Sequence, residues 1–140
     1  MLTVLYHPAS TFARRVRIAL LEKQVGHELV EVNLPGGEQR GDAFRLINPL
    51  GKVPVLRDGD FALPESAAIL WYLEAKFPEP GLLPPGLRGR AETDLWVRLC
   101  DATVGRHAGA LLFPKRFLPK EKWELSAMAV ASREIGNHLD

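Results

Sequence analysis

Residues 48 to 73 read NPLGKVPVLRDGDFALPESAAILWYL, and this stretch predicts a strand, a hairpin and the start of a helix. Val53 to Leu56 and Phe61 to Leu63 are short apolar runs joined through Asp58-Gly59. That dipeptide tolerates positive φ and marks a hairpin, so two antiparallel strands are expected. Pro64, Glu65 and Ser66 then open an apolar helical pattern. They supply a fixed φ, an acid and a hydroxyl beside the unpaired N–H groups at the positive end of a helix, an arrangement suited to anions. Pro54 stands at the start of the first strand, where a cis peptide would change what the backbone presents. The prior for a cis X-Pro bond is about 5%.

Upstream, Leu2 to Tyr6 reads as a buried strand and His7-Pro8-Ala9-Ser10 as the turn out of it. From Thr11 a helical pattern follows, with Phe12, Val16, Ala19, Leu20 and Lys23 three or four apart and Gly26 expected to stop it. Glu28 to Asn33 alternates as a second strand. Strand, helix and strand within about thirty residues make a βαβ unit, whose parallel strands need the helix as a right-handed crossover. With the hairpin and helix downstream the plan is β-α-β, loop, β-β-α: an α/β, thioredoxin-like domain with a mixed sheet. The intervening Leu34 to Ile47 holds Pro35-Gly36-Gly37 and a potential short helix over Asp42 to Ile47.

Downstream, Pro78, Pro80, Gly81, Pro84, Pro85 and Gly86 crowd together. The helix from Glu65 should therefore end near Phe77, with a stiff linker after it. The expected organisation is a domain over 1–77, a linker over 78–87 and an all-α, incomplete C-terminal domain over 88–140. Arg88 to Phe113 has the pattern of one helix, Pro114 and Pro119 bracket its successor, and Trp123, Ala127, Ala131, Ile135 and Leu139 form a stripe on a further helix. Two helices expose an apolar stripe that a monomer covers poorly.

The chain has 140 residues, 46% apolar and 25% charged, with a net charge of +1. That balance gives no broad attraction to nucleic acid or anionic lipid, so neither is expected as a partner. Cys100 is the only cysteine, which excludes an internal disulfide and a Cys-x-x-Cys pair and fits a reducing compartment. Mid-helix among apolar neighbours, it reads as an inert buried thiol. The start of the chain shows neither a charged n-region nor a long apolar run, so a cytoplasmic location without signal peptide or membrane span is the expectation. The four histidines, at 7, 27, 107 and 138, have no ligand spacing, and no metal is expected. Arg14, Arg15 and Arg17 cluster on the first helix, where such charges ordinarily face solvent or pair.

Asn-Pro-x-Gly-Lys-Val-Pro-x-Leu, then Asp-Gly, then Glu-Ser-x-Ala-Ile-x-x-Tyr-Leu, resembles the glutathione-binding half of the cytosolic glutathione transferases. The likeness covers residues 1 to about 113 and is strongest to the serine-type theta, zeta and phi branches. It implies a cis bond before Pro54, pairing of the Val53 main chain with the cysteinyl unit of glutathione, and a hold on the γ-glutamyl carboxylate by Glu65 and Ser66. It also implies catalysis by Ser10, at the mouth of the first helix. The glycine carboxylate would be met by Gln39, Arg40 and Lys52. The activity implied is addition of the glutathione thiolate to a small electrophile, as in detoxification, with glutathione as co-substrate. A homodimer packed through the Arg88 to Phe113 helices is implied as well, with Asp101 as an acid offered across that dimer. The family's second domain normally runs on for several helices, so this chain reads as a C-terminally truncated fragment.

Each residue also has a plainer reading. Ser10 is equally suited to capping the helix, and Thr11 is a second hydroxyl that could share its role. Glu65 and Ser66 suit any helix start, and Arg40 suits any solvated loop. The alternative for the whole chain is a non-catalytic module that uses the same fold for protein assembly.

Overall fold

The computed structural model describes residues 1–139, with side chains through Asn137; the side chains of His138 and Leu139 and all of Asp140 lie outside the described residues. The chain divides into two compact units, Met1–Leu83 and Pro84 onward.

The first unit contains β1 (Leu2–Tyr6), α1 (Thr11–Glu22), β2 (His27–Glu31), α2 (Asp42–Ile47), β3 (Val55–Asp58), β4 (Phe61–Pro64) and α3 (Ser66–Lys76). The sheet order is β2-β1-β3-β4. β1 runs parallel to β2 and antiparallel to β3, which pairs antiparallel with β4. This is the thioredoxin-like mixed sheet. Alternation along the central strands divides the core between two faces. Leu2, Val4 and Leu56 pack with Val16, Ala19 and Leu20 of α1 and with Ile69 and Leu73 of α3. On the other face Leu5 and Val55 pack with Val32 and Phe44. β1 is buried on both faces, which explains its uninterrupted apolar reading.

Several boundaries differ from the sequence-based expectation. α1 stops at Glu22 rather than at Gly26. Lys23 leaves the helix as its C-cap, and Gln24 turns the chain at φ 53°. The Lys23 ammonium is drawn inward instead, 2.6 Å from Glu74 and bonded to the carbonyls of Phe77 and Pro80. β2 covers His27–Glu31 rather than Glu28–Asn33. In the hairpin Asp58 pairs with Phe61, so the two turn residues are Gly59 and Asp60 rather than Asp58-Gly59. Gly59 takes φ 63°, as a glycine at the first turn position does. Pro64 ends β4 opposite Val55 instead of opening the helix. Proline is admissible there because an edge strand has one unpaired side.

The second unit contains α4 (Gly86–Leu99), a π-helical turn (Cys100–Val104), α5 (Gly105–Phe117) and α6 (Leu125–Leu139). The helix expected over Arg88 to Phe113 therefore runs longer and carries the π turn inside it. Pro114 does not end it. Pro114 lacks the N–H that would bond the Ala110 carbonyl, yet the helix continues through it to Phe117, and the Phe113 and Phe117 rings pack at 5.1 Å across it. Cys100 is exposed, contrary to the expected buried thiol, and Leu95, Trp96 and Leu99 are exposed beside it in sequence. Among the described side chains of α6 the buried ones are Met128 and Ala131; Ala127 of the expected stripe is exposed, and the side chain of Leu139 lies outside the described residues. Spacing by four alone drifts around a helix of 3.6 residues per turn.

Candidate functional site

One cleft on the first unit is lined by Phe12, Asn48, Lys52, Val53, Pro54, Glu65 and Ser66. It lies where the start of α1, the loop before β3 and the start of α3 converge. Five of the eight residues singled out from sequence are thus brought to one place. Phe12 and Asn48 join them without having been singled out; Ser10, Gln39 and Arg40 are not part of the lining.

The loop before β3 is held by Asn48, which is 1% exposed. Its amide nitrogen donates to the Lys52 carbonyl at 2.8 Å, and its amide oxygen accepts from the Leu50 N–H at 3.1 Å. Gly51 takes φ 60°, and a Cβ there would stand 2.8 Å from the Gln39 carbonyl oxygen; no other residue fits without displacing that backbone. Asn48 and Gly51 were visible as motif residues, but their role as scaffold is carried by contacts outside any local pattern. Val53–Pro54 is a cis peptide, as the resemblance implied. Val53 precedes β3 and stands outside its ladder, and Pro54 is buried. Lys52 is exposed on the same rim.

The opposite wall is the start of α3. Glu65 is the N-cap residue at φ 69° and ψ 108°, a left-handed φ that side chains disfavour and that neighbouring structure must impose. Its side chain is exposed and makes no capping bond. Ser66 is 3% exposed and is the first helical residue. Its Oγ accepts from Arg15 Nε at 3.0 Å and from Arg15 Nη2 at 2.5 Å. Arg15, as one of the cluster on α1, was expected to face solvent or pair. The signal that separates it from Arg14 and Arg17 is tertiary, a contact across 51 positions in sequence.

Ser10 is the N-cap of α1, and its Oγ accepts from the Ala13 N–H at 3.1 Å. The turn before it is tied by a bond from the Ser10 N–H to the His7 carbonyl at 2.9 Å and by one from the Ala9 N–H to His7 Nδ1 at 3.1 Å. Thr11 is exposed. Gln39 and Arg40 belong to a 3-10 turn over Glu38–Arg40. Arg40 is exposed, while the side-chain oxygen of Gln39 is buried and has no hydrogen-bond partner among the described residues. Also among the described residues, no group of three His, Cys, Asp or Glu side chains is placed to hold a metal ion, and no helix is long and apolar enough to cross a membrane.

A family model described as the glutathione S-transferase N-terminal domain matches residues 5–81. The chain belongs to the glutathione S-transferase family. Glutathione S-transferase Z2 of Arabidopsis thaliana is 49% identical over 104 residues, which are 74% of this chain and 47% of that protein. Among solved structures, glutathione transferase F2 from Populus trichocarpa superposes with a TM-score of 0.89 at 30% identity, over 100% of this chain and 67% of that one. The theta class glutathione S-transferase from Xanthomonas axonopodis pv. citri, solved with glutathione bound, gives 0.89 at 29% identity, over 99% and 66%. The chain spans less than half the length of the curated glutathione S-transferases it matches. The match to the family model begins inside β1 and ends beyond α3, so it covers every residue that lines the cleft.

Proposed function

We propose that this chain binds glutathione in the cleft between α1 and α3, lowers the pKa of its thiol and adds the thiolate to a small electrophile. The observation that carries the reading is the convergence of Lys52, Val53, Pro54, Glu65 and Ser66 on one cleft at the N-terminal end of α3. Bound glutathione in the structures of related transferases supports it. In this reading the Val53 main chain pairs with the cysteinyl unit, Glu65 and Ser66 meet the γ-glutamyl end, and Lys52, Gln39 and Arg40 serve the glycine carboxylate.

The chemistry asked of Ser10 is limited and sufficient. A free thiol ionises near pH 8.5, and lowering that by roughly two units takes about 3 kcal/mol of preference for the thiolate. Capping of α1 uses a lone pair of Ser10 Oγ, which leaves the hydroxyl hydrogen to donate to sulfur. Capping and catalysis are therefore compatible in one side chain. The thiol proton passes to solvent. The thiolate lone pair then forms a carbon–sulfur bond to the electrophile, and the displaced electron pair leaves with the departing group or is protonated on the acceptor. Assembly as a cytoplasmic homodimer through α4 and the turn after it belongs to the same reading, supported by the exposed Leu95, Trp96 and Leu99.

Calorimetric titration of glutathione into the purified chain tests the reading. Saturable binding below millimolar concentration is expected. No heat of binding up to about ten millimolar, where a contact weaker than roughly 3 kcal/mol would lie, overturns it.

A further inference from the structure

β1 ends at Tyr6, whose carbonyl accepts from the Val32 N–H at 2.8 Å, so the sheet fixes the backbone from which the next residues leave. Those residues are His7, Pro8, Ala9 and Ser10. The Ser10 N–H donates to the His7 carbonyl at 2.9 Å, the bond that closes a four-residue turn, and Pro8 brings a preset φ to its second position. The N–H of the third residue has no backbone partner inside such a turn. Here the Ala9 N–H finds one in His7 Nδ1 at 3.1 Å. Asn and Asp ordinarily make this bond, accepting from the N–H two residues on. Nδ1 is bonded to Cγ as their Oδ1 is, and His7 takes their place.

The turn leaves the sheet at a particular end. Leu5 of β1 pairs with Val55 of β3, so the end of β1 and the start of β3 lie side by side, and His7 stands level with the Val53-Pro54 segment that leads into β3. Ser10 is fixed from two directions. Its Oγ accepts from the Ala13 N–H and its carbonyl from the Arg14 N–H, each at 3.1 Å, and these bonds fix it relative to α1. The bonds made by His7 fix it relative to β1, and through the β1–β3 pairing relative to Val53.

We propose that His7 is a positioning residue for thiolate formation: by accepting the Ala9 N–H at Nδ1 it locks the turn and holds the Ser10 hydroxyl at the separation from the Val53 main chain that the glutathione sulfur requires. This inference rests on the glutathione reading, with Ser10 as the donor, and adds a residue that the reading does not include. A hydrogen bond weakens steeply as its distance and angle depart from the optimum. A loosened turn therefore costs the sulfur its donor while leaving in place the groups that hold the rest of glutathione. The bond also fixes the tautomer: an Nδ1 that accepts is bare, and the ring hydrogen sits on Nε2.

The test reads two quantities on the full chain, affinity for glutathione by calorimetry and the pKa of the bound thiol by thiolate absorbance. His7→Phe keeps a ring and loses the acceptor. It should raise the bound-thiol pKa by about half a unit to one unit, the size of one neutral hydrogen bond. Affinity should stay within a few fold, which also reports a folded cleft. His7→Asn returns an acceptor to Cγ and should recover most of the shift. Adding His7→Phe to Ser10→Ala should raise the thiol pKa no further, as expected of a residue that acts through Ser10. Nitrogen NMR of wild type above neutral pH should show His7 with a bare Nδ1 and a protonated Nε2. An unchanged thiol pKa in His7→Phe overturns the proposal, as does a shift that His7→Asn does not reduce, a further shift on the Ser10→Ala background, or the opposite tautomer. Affinity lost by roughly tenfold or more in His7→Phe makes His7 merely structural and overturns it too. A wild type that binds glutathione without acidifying its thiol removes the role of Ser10, and this inference with it. A wild type that binds no glutathione overturns the glutathione reading itself.

Discussion

Ser10 Oγ accepts the Ala13 N–H at 3.1 Å, and a hydroxyl so engaged stabilises a thiolate by donation; it cannot serve as a base near neutral pH. Its removal should therefore change thiol ionisation more than ligand affinity. Ser10→Ala is expected to raise the pKa of bound glutathione by about one to two units and to slow conjugation at neutral pH by roughly ten- to a hundredfold. Affinity should stay within a few fold. The difference should shrink at high pH, where thiolate forms unaided. A pH profile of thiolate absorbance for wild type, Ser10→Ala and Thr11→Ala checks this; loss in Thr11→Ala alone would transfer the role to Thr11. At Gly51 the constraint is steric rather than chemical. With φ 60° and the Gln39 carbonyl 2.8 Å from the position of a Cβ, Gly51→Ala is expected to lower stability by about 1 to 3 kcal/mol. A denaturant midpoint equal to wild type would show that the loop yields.

At the scale of elements, two polar ties hold α3 within its unit. Glu74 bonds Lys23 at 2.6 Å and accepts from the N–H groups of Leu82 and Leu83, so the end of α1, the last turn of α3 and the segment after it meet at one carboxylate. Burial pushes the Glu74 pKa up, but the Lys23 bond and the backbone donors outweigh it and hold the group below its ordinary value. Asp58, at the end of β3, is likewise held low, first by its bond from Lys76 and then by the Tyr72 hydroxyl, which donates at 2.5 Å. Both carboxylates bind protons less readily folded than unfolded. Their contribution is complete above the unfolded values, about 3.9 for aspartate and 4.3 for glutamate. It fades as pH falls through the lower folded values. Lys23→Met removes the largest opposing influence on Glu74, so that carboxyl should titrate higher and the acid limb of the stability curve should move upward. At pH 7 a loss of about 3 kcal/mol is expected, because the partner charge is left largely buried. Hydrogen exchange of the β1 and β3 amides reads this loss within the first unit, and a change below about 1 kcal/mol would reduce the pair to a surface contact.

For the whole molecule, exposed apolar side chains occur in both units, and several of them lie on the long helix of the second unit. Trp96 is 65% exposed and Leu95 53% exposed, an apolar surface of the kind that association buries. The proposed homodimer should sediment as such at tens of micromolar, and Trp96→Lys combined with Leu99→Glu should shift it to monomer. A monomeric wild type at that concentration would sink the dimer proposal.

The order of strands and helices in the first unit was determined by the sequence alone. The buried faces of α1 and α3 repeat with a local helical period, and β1, buried on both faces, reads as an uninterrupted apolar run. The core of the candidate site was legible for a related reason: Lys52, Val53 and Pro54 are adjacent in sequence, Glu65 and Ser66 are adjacent, and the hairpin between them is short enough to return the chain to the same cleft. Local pattern could not decide what depends on partners far along the chain. The inward course of the Lys23 ammonium at the end of α1 depends on bonds with residues more than fifty positions away. Cys100 sits in an apolar run yet is exposed, since composition does not say which side of a helix finds a neighbour. The three arginines of α1 are equivalent in charge and propensity. Only the tertiary structure separates Arg15 from the others, because burial beside Ser66 is a property of two helices packed together and not of either one.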